Sequence, residues 1–110
     1  MNMDTDSFLK RIERMGAAIR PYAKARAERV YVENYLRCKK SLLMQDCDKK
    51  AISAKEMCAY AHPDYIALLD SLKAAVEVEE TTRWALEKFK IEFEHWRTCQ
   101  ANDRWQKDRV

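Results

Sequence analysis

Glycine is nearly missing from this chain. Among 110 residues it occurs once, at Gly16, and proline occurs twice, at Pro21 and Pro63. Tight hairpins, phosphate-cradling loops and nucleophile elbows need glycine where φ is positive or where a ligand approaches the backbone. A Walker loop, a dinucleotide-binding fingerprint and a many-stranded β fold are therefore excluded. No run approaches the ~18 apolar residues that span a bilayer. The start, Met1-Asn2-Met3-Asp4-Thr5-Asp6, is polar and acidic, unlike a signal or transit peptide, so a cytoplasmic protein is expected. Cys38, Cys47, Cys58 and Cys99 contain no CxxC pair, which removes the signature of redox motifs and zinc ribbons and predicts free thiols.

What is present is helical material, with 47% hydrophobic and 35% charged residues. That mixture excludes a disordered tail, and the length fits one domain. Asp6 or Ser7 can cap a first helix over 6–20, with Phe8, Ile12, Met15 and Ile19 as its apolar stripe. Pro21 is expected to interrupt or kink it and to open a second helix over 22–47. The inner stripe of that helix reads Tyr22, Ala25, Arg29, Val32, Leu36, Lys39, Leu43.

A polar turn follows, and Ser53-Ala54-Lys55-Glu56 has the capping-box form for a short helix over 53–61. His62-Pro63-Asp64 marks a restart, since the residue before proline leaves the helical region while Pro63 suits a first turn. From 64 to 105 nothing breaks the helix. Its stripe reads Tyr65, Leu69, Leu72, Val76, Glu79, Thr82 or Arg83, Leu86, Phe89, Phe93, Trp96. The expected fold is a single all-α domain over 1–110, an elongated antiparallel helical hairpin with an extra N-terminal helix. Polar Glu79 and Thr82 or Arg83 in mid-seam are expected to fix register or mark a second interface. Three tryptophans on one helix (Trp84, Trp96, Trp105) and a thin core predict a homo-oligomer.

The formal net charge of +3 conceals an asymmetry. Residues 10–40 hold ten Lys and Arg against three Glu, a local net of +7. Residues 77–94 hold six Glu against three cations, a net of −3. Cations interleaved with aromatic rings suit sequence-independent binding of a single strand, phosphates held by charge and bases by stacking. The candidate nucleic-acid-binding residues are Lys24, Arg26, Arg29, Arg37, Lys39 and Lys40 for phosphates, and Tyr31 and Tyr35 for bases. The bland alternative is a basic helix face that meets acidic residues of its neighbour.

The chemistry of catalysis is poorly served. Cys58/His62 and His95/Cys99 stand four apart, but one pair straddles the Pro63 break and neither has a supporting CxxC. Buried thiols and a capping His62 are the expected structural roles, and neither metal nor cofactor is expected. A Cys99–His95 nucleophile lacks the turns that build an oxyanion hole. No enzyme is expected.

Lys24-Ala25-Arg26 on a long helix, a polar connection, and Ala61-His62-Pro63-Asp64-Tyr65 opening a tryptophan-bearing helix together resemble a family of phage recombination accessory proteins, the mediators typified by UvsY. The resemblance covers residues 20–95. It implies a helical, ring-forming homo-oligomer that binds single-stranded DNA and helps load a recombinase onto strands coated by single-strand-binding protein. It also implies that Lys24 and Arg26 contact phosphate. Ala27 stands where that family has Leu, and Glu28-Arg29-Val30 lacks its Asp-Tyr. The functional expectation is non-catalytic single-stranded DNA binding in recombination or replication, in the host cytoplasm if the chain is phage-encoded. The alternative is a helical module that binds a host or phage protein and no nucleic acid.

Overall fold

The structure, a computed structural model, describes the backbone of residues 3–108 and the side chains of residues 5–108. It is all-α. Three helices follow one another, α1 (Met3–Asp46), α2 (Ile52–Tyr60) and α3 (Pro63–Asp108), with no strand among the described residues. None is long and apolar enough to cross a membrane.

The expected break at Pro21 is absent, and α1 runs through it. Proline lacks an N–H and crowds the carbonyl four residues back. Pro21 is exposed, so the bond it forfeits lies against water and the apolar stripe is untouched. The extra N-terminal helix is therefore the first part of α1. The Ser53 capping box is also unused. Helix α2 starts one residue earlier, with Ala51 at the cap position in an extended conformation and no side-chain cap. The restart at Pro63 forms as the sequence predicts. Pro63 is the first residue of α3, and the His62 ring Nδ1 accepts the Asp64 N–H at 3.1 Å.

The residues group into two compact units, 1–22 with 81–110 and 23–80. In the second of these, Ala25, Arg29, Val32, Leu36, Lys39 and Leu43 form the sheltered row of α1, the stripe expected from spacing. The facing row of α3 is Tyr65, Leu68, Leu72, Ala75 and Glu79. Leu69 and Val76 are instead 42% and 39% exposed, one residue out of phase with the expectation. Contacts Arg29–Glu79 and Lys39–Asp64 show the two rows running antiparallel. Ala59 of α2 is fully buried.

In the unit of 1–22 with 81–110, the sheltered residues are Arg11, Met15, Ala18 and Tyr22 on α1. On α3 they are Thr82, Leu86, Phe89, Phe93, Trp96 and Gln100. Phe8, Ile12 and Ile19 stay 41–51% exposed, so of the expected first stripe only Met15 lies on the inner line. Phe8 still reaches α3, its ring 5.7 Å from Phe93 and 6.1 Å from Trp96.

Candidate nucleic-acid interface

All eight candidate residues lie on α1 within residues 23–80, and the structure divides them among three directions. Arg29 points into the seam. Its Nε and Nη2 both donate to the Glu79 carboxylate, the second at 3.0 Å, and Nη1 donates to Glu33 at 3.0 Å. Glu79 is only 9% exposed. A guanidinium held in a bidentate fork by a sheltered carboxylate is a strong, geometry-specific pairing. These carboxylates, Glu79 first, hold the Arg29 charge more firmly than in an isolated arginine. Arg29 is therefore a seam residue, committed to α3 and withdrawn from the phosphate-binding set. Glu79 lies sheltered opposite α1, paired with Arg29.

Lys39 also flanks the seam, with Nζ 3.5 Å from Asp64. Lys40 lies over the Tyr60 ring, 4.7 Å from its centroid, and 3.9 Å from Glu56. Tyr60 first, then the charge of Glu56, raises the Lys40 pKa above its ordinary 10.5 against the opposing pull of burial. Glu56 and Asp64 are both well exposed, at 44% and 61%. Exposed pairs of this kind contribute little, and an incoming phosphate can displace them. The Arg29–Glu79 fork is different in kind.

Lys24, Arg26 and Arg37 are exposed and form no ion pair with a described residue. They do not share a face. Two residues along a helix are about 200° around its axis, so Lys24 and Arg26 stand on opposite flanks of the seam. The Lys-Ala-Arg element that carries the resemblance thus cannot grip one strand with both cations. Eleven residues bring a helix back to within about 20°, which aligns Arg26 with Arg37 and Lys24 with Tyr35.

The two flanks differ. On one, Lys24 accompanies Tyr31 and Tyr35, whose rings stack on each other at 6.4 Å and 11°. Tyr31 is 66% exposed. Tyr35 also borders a shallow hollow of about 270 Å³ with Lys39, Asp64 and Leu68. On the other flank Arg37 and Lys40, with Glu33 and Leu36, face Tyr60 and Tyr65 across a hollow of about 290 Å³. The two tyrosine rings meet edge to face at 5.3 Å. Arg26 continues this flank along α1.

Tyr60 and Tyr65 were not legible as site residues. The His62-Pro63 turn brings them together, one at the end of α2 and one in the first turn of α3. Their position three residues before and two after Pro63 is the signal that points to them.

Elsewhere the thiols are more open than expected. Cys38, Cys58 and Cys99 are exposed, Cys47 is half-buried, and all four are unbridged. Cys47 raises the Cys58 pKa, as does burial. Cys99 Sγ lies 3.7 Å from His95 Nε2. No group of three His, Cys, Asp or Glu converges among the described residues. No protein-family model, curated protein or solved structure matches the chain.

Proposed function

We propose that the chain binds single-stranded DNA without catalysis, along the flank of residues 23–80 that carries Arg26, Arg37, Lys40, Tyr60 and Tyr65. The observation that supports this most is the hollow in which two cations of α1 face two tyrosines from α2 and α3. Arg37 is exposed and forms no ion pair with a described residue, and Lys40 is held by Tyr60 and Glu56. Phosphates take the cations, while the rings offer surfaces on which a base packs whatever its identity. Lys24, Tyr31 and Tyr35 form a second, less basic strip on the far flank. The resemblance to phage mediators suggests recombination or replication as the setting, with a recombinase or single-strand-binding protein as partner and a homo-oligomer as working form.

The test is anisotropy of a labelled oligothymidine in dilute buffer. Binding is expected, with loss of affinity in Arg37→Ala and in Tyr60→Ala. Absence of binding at low salt ends this reading.

One observation favours the protein-interaction alternative. Trp84 and Ile91, seven residues apart on one line of α3, are 58% and 65% exposed. Large apolar side chains in a row on a helix surface mark protein contacts. Oxidative or alkylating footprinting of the indoles with and without oligonucleotide separates the readings. Failure to bind oligothymidine, with Trp84 protected by a different protein, favours the second.

A further inference from the structure

A second recess lies wholly within the unit of 1–22 and 81–110, outside the proposed DNA flank. Arg11 and Arg14 of α1 border it, and Phe89, Phe93 and Trp96 of α3 form its floor. Its volume is about 330 Å³, at the small end for a binding pocket. His95 and Cys99 stand at the rim, and Glu92 is in the wall.

The charge of this recess is positive. Arg14 is exposed and has no ion pair with a described residue. Arg11 donates from Nη1 to the Ser7 carbonyl at 3.4 Å, one contact for a group with five N–H donors. Glu92 is within 4.0 Å of Lys88, which offsets its charge. The recess therefore favours an anion.

Ring exposure decides what kind. A nucleobase packs on a ring that stands open to solvent. Here Phe93 and Trp96 are tilted by 35°, and Phe8 meets them at 56° and 39°. The Arg11 guanidinium lies over the Trp96 ring, 4.9 Å from its centroid. Phe89, Phe93 and Trp96 are all half-buried, so they make a recessed cup for one apolar side chain. Tyr31 and Tyr60, 66% and 46% exposed, show the contrasting arrangement in the same protein.

We propose that this cup is a docking site for an acidic peptide segment of a partner protein, one apolar side chain seated on Phe89, Phe93 and Trp96 and its carboxylates held by Arg11 and Arg14. Buried apolar anchors ringed by charge are how small interfaces obtain their specificity. The site is independent of DNA binding and gives the chain a second, protein-directed contact.

The experiment uses the full chain carrying Trp84→Phe and Trp105→Phe, which leaves Trp96 as the only indole. The probe is an oligo-aspartate peptide with one central phenylalanine, followed by its own anisotropy and by Trp96 emission. Expected are a change in Trp96 emission on binding, about tenfold weaker binding with alanine in place of the phenylalanine, and a similar loss in Arg14→Glu. Arg14→Gln, which removes charge at an exposed position, gives the same direction if the reversal perturbs folding. Arg37→Ala leaves peptide affinity unchanged, so loss of the DNA reading and loss of this one are told apart. Equal binding of the alanine peptide, a silent Trp96, or indifference to Arg14→Gln overturns the proposal. So does an oligothymidine that produces the same Trp96 change and competes with the peptide, which assigns the cup to nucleic acid.

Discussion

At the residue scale, Arg29 shows how far a sequence can be read. Its place on the inner stripe was visible from spacing, and so was that of Glu79. Their meeting was not, because fifty residues separate them and only the folded register of α1 against α3 brings guanidinium to carboxylate. A cation in a stripe looks the same whether it faces phosphate or a partner helix. The pairing has a testable consequence. Removing one partner breaks the bidentate fork and leaves the other's charge in a sheltered seam without those two bonds, whereas removing both leaves an apolar contact that is near neutral or better. Arg29→Met and Glu79→Leu are each expected to lower Tm by ~5 °C or more, and the double variant to recover most of the loss. Additive losses in thermal melts would show that the fork is not the unit that matters. Lys40 gives a pH dependence of definite sign. Its pKa is raised in the folded chain, so its contribution is complete below the ordinary 10.5 and fades as pH climbs past the folded value. Wild type should lose more Tm than Lys40→Met on moving from neutral pH into that alkaline range. Parallel curves for the two would show that Lys40 draws nothing from Tyr60 and Glu56.

At the element scale, helix type was legible and phase was not always. The row Tyr22 to Leu43 was found because large residues and small ones recur there at steps of three and four without competitors. On α3 Leu69, equal in size to Leu68, and Val76, larger than Ala75, drew the stripe one residue away from Leu68 and Ala75, which face inward. On α1 the bulky Phe8, Ile12 and Ile19 masked a true inner line through Arg11, Met15 and Ala18. Size misled at Val76 and Ile19, which stay outside while the adjacent Ala75 and Ala18 hold the inner positions. Ser53 failed for a related reason, since Ala51 already leads into the helix and the Lys55 N–H bonds to its carbonyl at 3.1 Å. The two breakers inside α1 carry a prediction. A Cβ added at Gly16 meets nothing within 4 Å, so Gly16→Ala should stabilise by about 1 kcal/mol. Pro21 sits exposed in mid-helix, and Pro21→Ala restores its missing hydrogen bond for a gain of up to about 3 kcal/mol. Chemical denaturation measures both. A loss of stability in Pro21→Ala would mean that proline serves a local bend that the fold requires.

At the scale of the whole molecule, a formal charge of +3 says little about polyanion binding, because what counts is how many cations are free to meet phosphate. Composition showed the basic excess of residues 10–40; only the coordinates separate the committed Arg29 from the open Arg26 and Arg37 and the exchangeable Lys40. Each phosphate neutralised on a single strand contributes about 0.7 to the slope of log affinity against log salt. Replacing Arg26, Arg37 and Lys40 together by alanine should then reduce that slope by about 2, as well as weakening binding in dilute buffer. Lys24→Ala, about 200° away around α1 from Arg26, should reduce it by less than one contact's share. Arg29→Met should leave the slope unchanged even where it lowers stability, since its charge is spent on Glu79. Titrations of a labelled oligothymidine at several salt concentrations, with the mass of the complex followed by sedimentation, give all three slopes and the number of chains per strand. If Lys24→Ala lowers the slope as much as the triple variant, the strand lies across Tyr31 and Tyr35, and the flank assigned to Tyr60 and Tyr65 is the wrong one.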